Sequence, residues 1–242
     1  MTKRARHQFF TEQNTGFTTD SIYIPDSPLL LKNNCKEGCW QLGDTNYGSR
    51  LKLVALKFSR YLHMGNDAIA AGAPIGQLWF CPIDGGVGSD EQGNEIQLAL
   101  NLVYYTLLKN SKSGKSGSLL NFGQKAALLQ GQGIDYREVV WIPKFIKKSG
   151  TVTNDIGQAE SASWYVLDWG VVLPEDQDDS TYEKIGNLID ILSSAEEMGK
   201  LIDPIVEGEC RCVDGLKPQQ IAQLANSMAT AVNGSTPALT PG

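Results

Sequence analysis

Apolar and polar residues alternate along several stretches of this chain and recur at three- and four-residue spacing along others. The longest alternation is RLKLVALKFSRYL over residues 50–62, as expected of a strand with one face on a core. Its phase slips at Val54-Ala55-Leu56. Leu51 and Leu53 share one parity, whereas Leu56, Phe58 and Leu62 share the other, so a β-bulge or sharp bend is predicted there. Such a bend lets one long strand serve both halves of a small barrel. Short strands are predicted at 29–31 and 38–42, ahead of the long one. A second strand, IGQLWFC over 75–81, stops at Pro82 and the turn Asp84-Gly85-Gly86, and GVGSDEQGNE reads as a polar hairpin connection. Further strands are predicted over 98–108, 137–146 and 161–173.

Helical spacing appears in three places. Ser118 stands where an N-cap belongs, and Leu119, Leu120, Phe122, Ala126, Ala127 and Leu129 form a stripe that ends at Gly131 and Gly133. Beyond Pro174, residues 181–203 place Ile185, Leu188, Ile189, Leu192, Met198 and Leu201 on one face, and 217–232 suggest a further helix. The expected organisation is a flexible basic N-terminal arm over 1–26, a β-barrel domain over 27–173, and an acidic helical C-terminal region with a disordered tail over 174–242. Three strands, one helix and two strands, with a long bent first strand, is the element order of an OB-fold, a five-stranded Greek-key barrel that carries oligonucleotide sites. The expected class is therefore mainly β with appended helices (α+β). A generic barrel or sandwich with a helix is the alternative.

Composition narrows this picture. A chain of 242 residues that is 41% hydrophobic has enough apolar material for a sizeable core. No stretch reaches the ~20 apolar residues of a membrane span, and MTKRARHQFFTEQ has charge without a following apolar run, so a cytoplasmic protein with no membrane association is expected. Five cysteines, an odd number, favour reduced thiols over a disulfide framework. Charge is unevenly spread: residues 1–150 carry 17 Lys/Arg and 12 Asp/Glu (+5), and 151–242 carry 4 and 15 (−11), which together give the net −6. Within 103–150 there are eight cations against two acids, Asp135 and Glu138. A local basic stripe interleaved with aromatics points toward nucleic acid.

Single-strand binding needs cations along the phosphates and flat side chains under the bases. Strand parity nominates Arg50, Lys52, Lys57, Arg60 and Tyr61 on the first strand, Trp79 on the second and Tyr105 on the third. The Lys/Ser/Gly loop adds Lys109, Lys112 and Lys115, and the fourth strand with its continuation adds Arg137, Trp141, Lys144, Lys147 and Lys148. The competing reading is that Trp79, Tyr105 and Trp141 are core, where strand aromatics usually lie. Gly114-Lys115-Ser116 is not a phosphate loop, because the glycine required five residues before the Gly-Lys pair is replaced by Lys109. With His7 and His63 the only histidines, and no G-x-S-x-G, no catalysis is expected. Asp84, Asp90, Glu91 and Glu95 read as a solvated turn rather than a hard-oxygen metal site. Cys35, Cys39, Cys210 and Cys212 are a weak zinc candidate, since neither spacing is C-x-x-C, and two pairs of free thiols are the favoured reading. No cofactor is expected.

The runs GCWQLGD, RLKLVALKFSRYL, PIGQLWFCPIDGG, REVVWIPKF and WYVLDW, with a helix after a Ser/Gly loop, resemble phage- and plasmid-borne single-stranded-DNA-binding proteins of OB-fold type. They also look like cyanobacterial proteins of similar length. The resemblance covers residues 28–173. It implies non-enzymatic binding of single-stranded DNA, or RNA, with low sequence specificity, in replication or recombination of phage, plasmid or mobile-element DNA. Two features of the group are missing: Cys81 stands alone beside Asp84-Gly85, without zinc-ribbon partners, and the chain lacks an acidic tip ending in an aromatic. The alternative function is a structural, assembly or adaptor protein of a phage-like or mobile-element complex. Homo-oligomerisation or a protein partner is expected through the acidic C-terminal helices. The 181–203 helix either competes with phosphates as a tethered acidic segment or packs on the barrel as core.

Overall fold

A computed structural model describes residues 29–66, 69–90, 92–100, 102–110, 116–153, 158–192 and 209–234. The expected N-terminal arm, Lys112, Lys115, and Met198 and Leu201 of the C-terminal helix lie outside the described residues. Those described form a mainly β fold with three α-helices, and none of these helices is long and apolar enough to cross a membrane. The seven-stranded main sheet runs in the order β1 (Leu29–Leu30), β9 (Tyr104–Lys109), β6 (Pro74–Gly85), β5 (Leu51–His63), β10 (Val140–Thr153) and β11 (Ala159–Val172), with β12 (Cys210–Cys212) also on β5. A small sheet of β2 (Lys32–Asn34), β3 (Cys39–Leu42) and β4 (Thr45–Asn46) lies beside it, and β7 (Val87–Ser89) pairs with β8 (Glu95–Gln97).

The predicted bend in β5 is present. The register with β6 shifts between Lys52 and Leu53 and again between Ala55 and Lys57, so Leu56 is an extra residue in the ladder. That insertion returns Phe58 to the face of Leu51, Leu53 and Ala55, while Val54 and Leu56 lie on the opposite face. It also divides the strand between neighbours. Leu53 and Val54 pair with Trp141 and Val140 of β10, whereas Tyr61, Leu62 and His63 pair with Cys212, Arg211 and Cys210 of β12.

Both faces of the sheet are covered. On one, Phe122 of α1 (Ser118–Gly131) packs against Trp141 at 4.7 Å, Trp169 at 5.1 Å and Phe58 at 4.9 Å, while Trp40 of the small sheet meets Phe80 at 6.0 Å and Phe145 at 5.6 Å. Tilted and edge-on aromatic pairs of this kind add about 0.5–1.5 kcal/mol each beyond area burial. On the other face, Val54, Leu56, Trp79, Cys81, Tyr105 and Val140 pack under Ile185, Leu188 and Ile189 of α2 (Asp179–Leu192). The packing reading of that helix is therefore what the geometry has. The third helix, α3 (Pro218–Gly234), approaches the 69–72 loop closely enough that a Cβ on Gly72 would lie 2.5 Å from the Ala225 carbonyl oxygen.

Among the described residues β9 and β11 share no ladder, so the main sheet does not close into a barrel. Two other devices bridge the opening. The segment after β1 binds both edges: Leu31 N–H donates to Tyr105 O, the Asn33 amide donates to Leu107 O, and Cys35 O accepts from Tyr165 N–H at 2.7 Å. From the other side α1 is tied to β11, because Ser118 Oγ accepts from Leu167 N–H at 3.0 Å and Asn121 Nδ2 donates to Leu167 O at 2.7 Å. Ser118 is thus not the helix cap its position suggested. Gly117 occupies that place at φ 141°, and Asn110 Oδ1 at the end of β9 accepts from Leu120 N–H instead.

Candidate nucleic-acid interface

The nominated residues divide into a buried group and an exposed group. Tyr61, Trp79, Tyr105 and Trp141 are respectively 8%, 0%, 2% and 0% exposed, so none presents a ring to solvent. The expectation of a stacking surface on them is corrected. Trp79 and Tyr105 do point opposite to Phe80 and Tyr104, as parity required, but they pack against one another as a tilted pair at 5.3 Å beneath α2. Trp141 points into the α1 core, and its Nε1 donates to Tyr136 O.

The exposed cations come together in two places. Arg50, Lys52 and Lys144 line one groove of about 850 Å3 with Ile142, Pro143 and Phe145. The turn at Gly85 (φ 85°) and Gly86 (φ 69°) forms one of its walls, folding back so that Gly86 N–H donates to Arg50 O at 2.8 Å. This places Asp84, the sole acid of the lining, 2.8 Å from Lys52 Nζ. The Lys52 ammonium holds the Asp84 carboxyl below its usual range, chiefly by hydrogen bonding. Both partners are about half exposed, at 49% and 61%, and such a pair contributes only about 0–1 kcal/mol, so Lys52 exchanges Asp84 for another anion at little cost. From Lys144 the surface continues onto a two-stranded ribbon, because among the described residues β10 beyond Trp141 has β11 as its sole strand partner. Lys147 and Lys148 are exposed there, and neither they nor Lys144 and Arg50 form an ion pair among the described residues.

Other nominated cations are engaged. Arg137 makes two hydrogen bonds to Asp135, at 2.9 and 3.0 Å. Burial pushes the Asp135 carboxyl up, but the hydrogen bonds and charge of Arg137 outweigh it and hold the carboxyl below its ordinary range. Arg60 lies 3.6 Å from Asp214, and Lys57 is half-buried opposite Trp79 of β6.

The second place was not nominated beyond Lys109. Where β9 and β11 fail to pair, a hollow of about 350 Å3 is lined by Leu30, Leu107 and Val166, by the half-buried Trp164 and Tyr165, and by Lys32 and Lys109. Among the described residues no acidic side chain lines it. Its inner polar groups already have partners: Asn33 Nδ2 donates to Thr106 Oγ1 at 2.7 Å, and Asn33 Oδ1 accepts from the Cys35 thiol. Burial pushes the Cys35 thiol up against the opposing pull of Ser118 and Lys109, so at neutral pH it is a donor rather than a thiolate. Tyr165 packs over Gly38, where φ is 73° and an added Cβ would lie 2.9 Å from the ring, which leaves no room for a side chain. The signal for this hollow lay in SASWYVLDW, where two adjacent aromatics of opposite parity sit on a strand with polar neighbours.

The four cysteines of the zinc candidate are not assembled. Cys35 lies in the turn between β2 and β3 and Cys39 on β3, Cys210 and Cys212 lie on β12 beside His63 and Tyr61, and the described residues contain no group of three metal-ligating side chains. Comparison of the chain with protein-family models, with curated proteins and with solved structures finds no match.

Proposed function

We propose that the protein binds single-stranded nucleic acid without catalysis and with little sequence preference, holding the sugar-phosphate backbone along the Arg50/Lys52/Lys144 groove and the basic ribbon. The observation that carries this reading is the run of exposed cations Arg50, Lys52, Lys144, Lys147 and Lys148, to which, among the described residues, Asp84 is the one acid bound. In a chain of net charge −6, such a local concentration of positive charge favours an anionic partner that follows a track. The strand order β9-β6-β5-β10-β11, with a helix between the third and fourth long strands, supports an opened OB-like framework for the same task.

Replacing Lys144, Lys147 and Lys148 together with alanine tests the assignment. All three lie on exposed ribbon, so the fold is expected to be retained. With about 0.7 of salt slope per single-strand phosphate contact, the variant should lose roughly 2 from the slope of log K against log salt. An unchanged slope removes the ribbon from the interface.

A further inference from the structure

We infer that the hollow between β9 and β11 receives one unstacked base of the bound strand, its ring against Trp164 and its phosphate toward Lys109 and Lys32. The inference rests on the single-strand reading above and names where a base goes. Four observations point to this occupant. The interior wall is apolar and partly aromatic, which suits a π-face, whereas the rim carries two ammonium groups and no carboxylate. At about 350 Å3 the hollow is at the small end of ligand sites, which run from roughly 300 to 1,000 Å3, so it takes a single base and no paired one. The Trp164 ring lies over Gly150 of the facing strand, its edge 3.0 Å from where a Cβ there would be, so the glycine leaves the ring room to lie on the ribbon. Finally, both amide hydrogens of Asn33 are committed, to Thr106 and Leu107, so this amide does not donate to a base edge. Tolerance of any base follows, as stacking platforms generally show.

The chain carries its own probe. Of its five tryptophans, Trp40, Trp79 and Trp141 are 0% exposed and Trp169 is 3% exposed, so Trp164 is the one that a base can reach. Oligo-dT binding, followed in parallel by anisotropy of a labelled strand and by intrinsic tryptophan fluorescence, should quench the wild-type protein. Trp164→Phe should abolish most of the quench while keeping affinity within a few fold. Trp164→Ala should weaken binding by about five- to a hundred-fold, the loss of one stack, with the salt slope unchanged. Circular dichroism of both variants establishes that they are folded, and the phenylalanine variant keeps the test valid should the alanine one unfold. Binding by anisotropy without quench, or wild-type affinity in Trp164→Ala, overturns the hollow as a base site and leaves the backbone track standing. Absence of any oligo-dT binding at low salt overturns both, and is recognised because the anisotropy itself does not change.

Discussion

Leu188 of α2 is fully buried against the sheet face that carries Val54, Leu56, Trp79 and Tyr105, with Ile185 one turn before it and Ile189 beside it. Leu188→Ala removes the side chain from a site whose walls are β-strands, which collapse poorly into a void, so the cost should lie in the 2–5 kcal/mol range of leucine-to-alanine changes in cores. For a chain of this size 1 kcal/mol corresponds to about 2–4 °C in melting temperature, which gives a decrease of roughly 4–20 °C. Urea unfolding monitored by tryptophan fluorescence measures it, with the midpoint lowered and the slope unchanged. Truncation after Leu173 is the stronger version. It uncovers Trp79 and Tyr105 and removes three buried aliphatic side chains worth about 1.5–3 kcal/mol each, against a total stability of about 5–15 kcal/mol, so an aggregated or partly folded product is expected. Leu188→Ala melting within 1–2 °C of wild type, or a soluble and cooperatively folded 1–173 fragment, would refute the packing account. The second outcome would restore the C-terminal region as a tethered acidic competitor.

Gly76→Ala should cost about 1–3 kcal/mol, read as a shift in urea midpoint, because its Cβ would lie 2.5 Å from Leu119 Cδ1 and 2.6 Å from the Phe58 ring. Asp135, whose carboxyl is held low by Arg137, contributes stability that is present above the unfolded carboxylate range near ~3.9 and is lost as pH falls through the lower folded value. Asp135→Asn should therefore lower the melting temperature at neutral pH and leave a smaller loss on acidification than wild type shows; equal acid sensitivity would contradict it. Among the thiols, burial pushes Cys81 up to about 12 while Cys212 is exposed, so a thiol reagent at about pH 8 should modify Cys212 first and leave Cys81 untouched until unfolding, as peptide mass mapping would reveal.

Much of the framework was legible in the sequence because it rests on periodicity. The slip at Val54-Ala55-Leu56 located one of the two register shifts to within three residues, since an extra residue must invert parity. The stripe of Ile185, Leu188 and Ile189 identified a helix with a face to bury. Less legible was what each face meets. Parity placed Trp79 opposite Leu78 and Phe80 correctly, but it does not say whether the second face is open or covered; the nearly continuous apolar run IGQLWFC was the available sign of a strand buried on both sides. The bridging segment Leu31–Cys35 and the three-residue β12 escaped notice because short polar strands have no period, and their hydrogen-bond partners are distant in sequence. Hence the hollow, which exists because β9 and β11 do not pair, had no linear signature beyond Trp164 and Tyr165.

The central claim is that exposed cations hold a single strand. Its most direct measurement is the affinity of the intact chain for labelled oligo-dT and for duplex DNA of equal length across a salt series. Five unobstructed or readily released cations, Arg50, Lys52, Lys144, Lys147 and Lys148, predict a slope of about −3.5 for the single strand. That amounts to roughly a hundred-fold weakening between about 50 and 200 mM salt, with weaker binding of the duplex at each concentration. Affinity for oligo-dT no better than for an uncharged polymer at low salt, or tighter binding of duplex than of single strand, would contradict it.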